Sequence, residues 1–348
     1  MAGEFVGLPG LGDALPGVPP LPGFGAAAPA VPAAVSQVHD GVVSGSLDGV
    51  AAAVDAEGEL RSALRVAAAA LNAAGVESPR ADAELLAGHL LGQDRGTLAV
   101  TALMGAPVPE GYGELVAARA SRIPLQHLTG GAPFRSLSLK VGPGVFVPRP
   151  ETELVAQAAI DEARSVLAAG REPLVVDACT GSGAIAAAVA TEVPGSTVHA
   201  VELHEAAHAY AAQNLAGTGV LLHLGDALTA LEELAGAVDV LVSNPPYVPP
   251  REHADPEVQL HDPDTALYGG GADGMEFPRA LALRAARLLR PGGLFVMEHD
   301  ETQEAAVLAL FGAEAPEGTW SEACVLPDLA GRPRCVVARR SYGACGGD

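Results

Sequence analysis

Leu174-Val175-Val176-Asp177-Ala178-Cys179-Thr180-Gly181-Ser182-Gly183 is an apolar triplet of strand character that runs into a glycine-rich turn, with a helical stretch behind it. Strand, turn and helix in that order bring backbone N–H groups to a ligand at a helix N-terminus. The turn alone is ambiguous: its spacing is not the Gly-x-Gly-x-x-Gly of dinucleotide binders, and glycine turns also serve structure only. Its surroundings decide the matter. Apolar runs at 197–201, 220–224, 238–242 and 294–297 alternate with helical stretches over Thr152–Ala168, after Gly183, over 204–215 and over 280–289. Alternation of this kind implies an α/β fold, a mostly parallel sheet with helices on both faces. Residues 323–326 and 334–338, separated by 328–332, read as a terminal antiparallel pair that completes seven strands.

Upstream the pattern changes twice. Leu60, Leu64, Ala67, Ala68 and Leu71 recur at helical spacing and Gly75 stands where a left-handed cap belongs. Ser78-Pro79 opens a second helix carrying Leu85, Leu86, Leu90 and Leu91, closed by Gly92. A third is expected over 114–122. Residues 133–148 alternate in strand fashion around Gly142-Pro143-Gly144, which reads as a hairpin. The expected division is therefore a disordered low-complexity tail over 1–56, a small helical substrate-recognition domain over 57–130, a hairpin linker over 131–148, a catalytic domain over 149–340 and a disordered C-terminal tail over 341–348.

Composition narrows the function. The chain has 348 residues, 49% of them hydrophobic, enough for two packed domains. No apolar run is long enough to span a membrane and no secretory pattern opens the chain, so a cytoplasmic enzyme without a membrane partner is expected. Cys179, Cys324, Cys335 and Cys345 form no Cys-x-x-Cys pair, and no metal is implied; His204 and His208 lack an accompanying carboxylate pattern. A net charge of −22 would repel a phosphate backbone, which argues against a nucleic-acid substrate. Oligomeric state is not encoded legibly; a monomer is the working expectation.

Three strand ends deliver ligand-shaped groups to one sheet edge, as the crevice rule for open α/β sheets anticipates. Cys179, Thr180, Gly181, Ser182 and Gly183 form the turn. Glu202 ends the next strand, where a carboxylate can accept the ribose hydroxyls of an adenosine ligand. Asp226 ends a third, suited to an adenine amino group, with Ala227 bordering the ring; a lone Asp after a strand is also an ordinary turn former. Together they point to S-adenosylmethionine and to a class I, Rossmann-like methyltransferase.

Asn244-Pro245-Pro246-Tyr247 follows the strand over 238–242. Two prolines fix φ and remove two backbone donors, leaving carbonyls free to accept. An Asn carbonyl and the Pro245 carbonyl can then both accept from one NH2 group, while Tyr247 stacks on the planar group to which it belongs. The expected catalytic residues are Asn244, Pro245 and Tyr247. A merely rigid turn is the weaker reading of a motif in this position, and an adenine amino methyltransferase that flips a base is the rival, which the acidic balance disfavours.

With Pro124 to Gly130, Phe146 to Glu153, Asp262-Pro263, Ala266 to Gly270, Asp273-Gly274, Pro291 to Gly293, Glu298, Gln303 and Asp328 to Arg332, these stretches resemble the HemK/PrmC family of protein glutamine methyltransferases over about residues 60 to 340. The resemblance implies methylation of the glutamine amide in the Gly-Gly-Gln motif of class I peptide chain release factors, which would be its protein partners. It also implies that Asn244 touches both cofactor and substrate, that Pro245, Pro246 and Tyr247 complete the substrate clamp, and that Arg149, Glu151 and Thr152 close the pocket. A sister enzyme acting on a large-subunit ribosomal protein is the alternative. This chain has Cys179 where the family often has Gly, Glu202 for Asp and His127 for Tyr.

Overall fold

The computed structural model describes residues 44–250 and 256–342; most of the expected N-terminal tail and residues 343–348 of the C-terminal one lie outside the described residues. The N-terminal unit comprises α1 (Ser44–Asp55), α2 (Leu60–Ala73), α3 (Pro79–Leu91), α4 (Arg95–Leu103), α5 (Tyr112–Ala120) and α6 (Leu125–Thr129). Leu60, Ala63, Ala67 and Leu71 form the buried stripe of α2, and they share a core with Val54, Leu86, Leu98, Tyr112 and Leu115. The tail expected over 1–56 is corrected here, because its end is α1. Val50 and Val54, one helical turn apart, pack on that core, and Asp55 Oδ1 accepts the N–H of Gly113 at 3.0 Å. So thin an apolar stripe becomes helical through tertiary burial, which local composition does not report.

The Tyr112 hydroxyl, in a fully buried side chain, donates to the Ala83 carbonyl at 3.0 Å and ties α5 to α3. Tyr112→Phe removes this bond, though the Ala83 carbonyl keeps its place in the α3 ladder, and is expected to lower stability by about 1 kcal/mol. A urea titration with unchanged slope and a lower midpoint checks this; an unmoved midpoint counts against the bond.

The linker hairpin pairs β1 (Gly131–Phe134) with β2 (Leu137–Lys140), antiparallel. The turn expected at Gly142-Pro143-Gly144 falls instead at Arg135-Ser136, with Arg135 at φ 53°. Ion pairing to Glu192 and a backbone bond to Glu153 hold that strained residue. Val141, Val145 and Val147, whose alternation suggested a second strand, form a separate apolar cluster with Ala207.

Seven strands make the second unit: β3 (Leu174–Ala178), β4 (Thr197–Glu202), β5 (Leu221–Leu224), β6 (Val238–Ser243), β7 (Leu289–Glu298), β8 (Trp320–Pro327) and β9 (Pro333–Arg340). Their order is β5-β4-β3-β6-β7-β9-β8. The first five are parallel, while β9 runs antiparallel to β7 and β8 antiparallel to β9. Val175, Val240, Val242 and Val296 pack on one face with α7 (Thr152–Ala168) and α8 (Ala184–Glu192). Val176, Leu241, Phe295 and Met297 pack on the other with α12 (Glu276–Leu288) and α13 (Glu304–Phe311). Burial on both faces accounts for the nearly unbroken apolar runs. Between β4 and β5 lies α9 (Glu205–Asn214); the long connection after β6 holds the short helices α10 (Pro256–His261) and α11 (Asp264–Leu267).

The two units are joined by charge. Arg119, buried in α5, reaches Asp82 at 2.7 Å and Glu257 of α10 at 2.7 Å. Among the described residues no helix is long and apolar enough to cross a membrane.

Candidate active site

The chain leaves β3 toward β4 and β5 on one side and resumes at β6 on the other, so a crevice opens where β3 and β6 end. Ala178 and Ser243 are register partners there, and the Ser243 hydroxyl donates to the Ala178 carbonyl at 2.7 Å. The glycine-rich turn and the Asn244 to Tyr247 motif thus start from neighbouring positions on adjacent strands. One cleft is lined by Cys179 to Ser182, Glu202, Asp226, Ala227, Thr152 and Asn244 to Tyr247.

The turn is held by Asp177, a role the sequence reading missed. One carboxylate oxygen accepts the Thr180 hydroxyl at 2.5 Å and the Ala186 N–H at 3.0 Å. Burial pushes this carboxyl up to about 7, against the pull of those two bonds. Cys179 has φ 60°, a left-handed conformation that glycine adopts freely and that costs an L-residue strain. This accounts for the glycine frequent here in the resembling family. Burial and the nearby Glu202 carboxylate raise the Cys179 thiol, which disfavours a thiolate at this position in the cleft wall.

Glu202 is buried, with Oε2 accepting Gly181 N–H at 2.9 Å and Oε1 accepting His204 N–H at 2.8 Å. A carboxylate has about four acceptor positions, so about two remain on Glu202 beyond these backbone bonds. Asp226 does what a turn former does, accepting Leu228 N–H at 2.9 Å, and also borders the cleft beside Ala227.

The motif after β6 is fastened from behind. The Tyr247 and Val248 N–H groups donate to the Leu267 carbonyl at 3.0 and 2.8 Å. The Gln303 amide donates to the Tyr247 carbonyl at 2.7 Å and to the Asp273 carbonyl at 2.9 Å. The Tyr247 hydroxyl donates to buried Glu298 at 2.9 Å, which leaves its ring to line the cleft. Burial and that carboxylate raise the phenol well above its usual range. Asn244 Nδ2 donates to the Thr152 hydroxyl at 3.3 Å. Among the described residues nothing donates to Asn244 Oδ1 or to the Pro245 carbonyl.

Arg149 and Glu151 do not line the cleft, unlike Thr152. Arg149 pairs with Asp262 at 3.1 Å and lies over the Phe146 ring, 5.2 Å from its centroid. It acts as a joint between the linker and the loop after β6. Burial raises the Asp262 carboxyl to about 6, against the pull of Arg149. Phe146 and Pro148 take the lining positions instead. Glu298 and Gln303 were visible only as parts of the family resemblance. A carboxylate ending an otherwise apolar strand, the signal that singled out Glu202, also singles out Glu298.

Comparison with known proteins agrees with this geometry. Residues 62–130 match the PrmC N-terminal domain and residues 151–260 the Methyltransferase small domain. A release factor glutamine methyltransferase of Streptomyces coelicolor is 51% identical over 270 residues, 77% of this chain and 93% of that protein. One of Mycolicibacterium smegmatis is 48% identical over 286 residues, 81% of this chain and 98% of that protein. A 4-amino-L-phenylalanine/4-methylamino-L-phenylalanine methyltransferase of Streptomyces pristinaespiralis is 41% identical over 287 residues, 81% of this chain and 96% of that protein.

Proposed function

The chain belongs to the release factor glutamine methyltransferase family, and from that membership we propose that it methylates the side-chain amide nitrogen of the Gly-Gly-Gln glutamine of class I peptide chain release factors. The observation that carries this reading is the pair of unoccupied acceptors, Asn244 Oδ1 and the Pro245 carbonyl, in the cleft that the glycine-rich turn also lines.

S-adenosylmethionine supplies an electrophilic methyl group when bound. Cys179 to Ser182, Glu202, Asp226 and Ala227 line the cleft and are suited to hold it, with left-handed backbone at Cys179 and Gly181; Gly183, packed against Leu215, shapes the turn behind them, and Glu202 has acceptor capacity left. Asn244 Oδ1 and the Pro245 carbonyl take the two N–H bonds of the acceptor amide. An amide nitrogen is a poor nucleophile because its lone pair is delocalised, and two strong acceptors on its protons return density to it while fixing its direction. The Tyr247 ring stacks on the amide plane, and Pro246 stiffens the loop between them. Arg149 and Glu151 support the pocket from outside it. The net charge of −22 and the four unclustered cysteines support a cytoplasmic protein-modifying enzyme over one acting on DNA or RNA.

An aromatic amine is the competing acceptor, since its nitrogen is also conjugated to a planar group. Incubation with tritiated S-adenosylmethionine separates the possibilities. Label is expected in a purified release factor and not in its Gln-to-Ala variant, a ribosomal protein, duplex DNA or free 4-aminophenylalanine. Equal label in the Gln-to-Ala variant, or label confined to another acceptor, would overturn the assignment.

A further inference from the structure

We propose that Gln303 is a positioning residue that ties Tyr247 to the Asp273 loop and thereby fixes the plane on which the acceptor stacks; the inference rests on the reading of Tyr247 as the stacking ring. Gln303 is buried and does not line the cleft. It ends a single helical turn (Glu301–Gln303) that follows β7, and Asp300 caps that turn by accepting the Thr302 N–H at 2.9 Å.

The Gln303 amide engages three main-chain groups. Nε2 donates to the Tyr247 carbonyl at 2.7 Å and to the Asp273 carbonyl at 2.9 Å, while Oε1 accepts the Asp300 N–H at 3.1 Å. Two carbonyl oxygens that converge on one point repel each other unless protons stand between them, and an NH2 group carries one for each. The Asp300 N–H fixes which way the amide faces. A reversed amide would set its oxygen against both carbonyls and its NH2 against another donor. Methionine matches the length of this side chain without its donors, and glutamate matches its shape without its protons.

The bridge acts on the peptide that joins Tyr247 to Val248. One edge of that peptide is held where the Val248 N–H donates to the Leu267 carbonyl at 2.8 Å. Gln303 holds the opposite edge, the Tyr247 carbonyl, so loss of the bridge leaves the plane hinged on one side. The second Nε2 bond ends in the loop between Gly269 and Phe277, which is closed by the Phe277 N–H on the Gly269 carbonyl at 2.7 Å. Tyr247 and Phe277 both line the cleft. One amide therefore joins two stretches of the cleft wall that belong to different loops.

The test measures kcat and KM against pH, cofactor affinity by calorimetry and thermal melts for the full-length wild type, Gln303→Met, Gln303→Glu and Tyr247→Ala. The acceptor is whichever one the wild type labels, so failure of the release-factor assignment leaves the comparison intact. Gln303→Met is expected to lower kcat about tenfold with cofactor affinity within about threefold. Gln303→Glu is expected to be worse at high pH, where a carboxylate faces two carbonyls, and to recover as pH falls, because the protonated acid again has one O–H to donate. Its kcat relative to wild type is expected to rise about fivefold from about pH 8.5 to about pH 6, while the ratio for Gln303→Met stays level. Glu298, Asp300 and the Asp273–Arg279 pair surround the bridge in every one of these proteins, so the ratio isolates the substituted side chain. A bridge that serves stability alone would lower the melting temperature and leave kcat and its pH ratio unchanged. Wild-type kcat in folded Gln303→Met, or a level ratio in Gln303→Glu, overturns the inference. Wild-type turnover in Tyr247→Ala removes its premise instead, which separates the two failures. If Gln303→Met does not fold, the pH ratio of Gln303→Glu decides alone.

Discussion

Asn244→Ala is expected to lower turnover by on the order of a hundredfold or more while cofactor affinity stays within about tenfold, as befits loss of an oriented acceptor used in the transition state. In the proposed mechanism the side chain supplies one of two acceptors for the substrate NH2, its own NH2 group being bonded to Thr152. Alanine removes the acceptor and leaves the backbone of the loop, which is secured through the Leu267 carbonyl and Gln303. Most of the cofactor-side groups, from Cys179 to Ala227, are on other strand ends and should be undisturbed. Single-turnover rates at saturating substrate, with calorimetric cofactor binding, measure the two effects separately. Turnover like the wild type would remove Asn244 from the mechanism.

A comparable loss, on the order of a hundredfold in kcat, is expected from Gly274→Ala, although Gly274 touches neither ligand. A Cβ there would stand 2.1 Å from the Tyr247 carbonyl oxygen and 2.9 Å from Pro249 N, at a φ of +72°. Those neighbours are main chain and cannot rotate aside as a side-chain tip can. The displaced oxygen is the one that accepts from Gln303, so the wedge moves Tyr247 and the clamp with it, and a misplacement of about 1 Å in a reacting geometry costs about that factor. Gly271→Ala is the control, since it shares the left-handed backbone at φ +69° but its Cβ meets Asp273 Oδ1 at 3.3 Å. It is expected to lose about 1 kcal/mol of stability and to keep its turnover. Equal kcat in the two folded variants would show that the wedge does not reach Tyr247.

How much of this was legible depended on whether a feature was local. The β3 turn, Glu202 and the Asn244 motif could be read because strand ends deliver groups to one edge and a parallel sheet writes itself as apolar runs. Arg149 illustrates the opposite case: its partner, Asp262, is far away in sequence and in a loop whose path no periodicity encodes. The hairpin was misplaced because glycine and proline are strong turn signals, whereas the real turn at Arg135 depends on an ion pair with Glu192. Helix α1 escaped for a similar reason, its few valines being informative only once the core they pack on exists. Glu298 obeys the same strand-end rule on β7, a fifth strand, but the run before it carries no turn or motif that marks a ligand group.

The rung shared by Ala178 and Ser243 has a further consequence. Neighbouring strands are about 4.8 Å apart, a spacing that backbone hydrogen bonds hold nearly constant. The methyl donor's turn and the acceptor's clamp hang from two such neighbours, so the gap that the transferred group must cross is gauged by the sheet itself. No residue of the helical unit lines the cleft, so substitutions in that unit are expected to leave untouched a gap that the sheet sets.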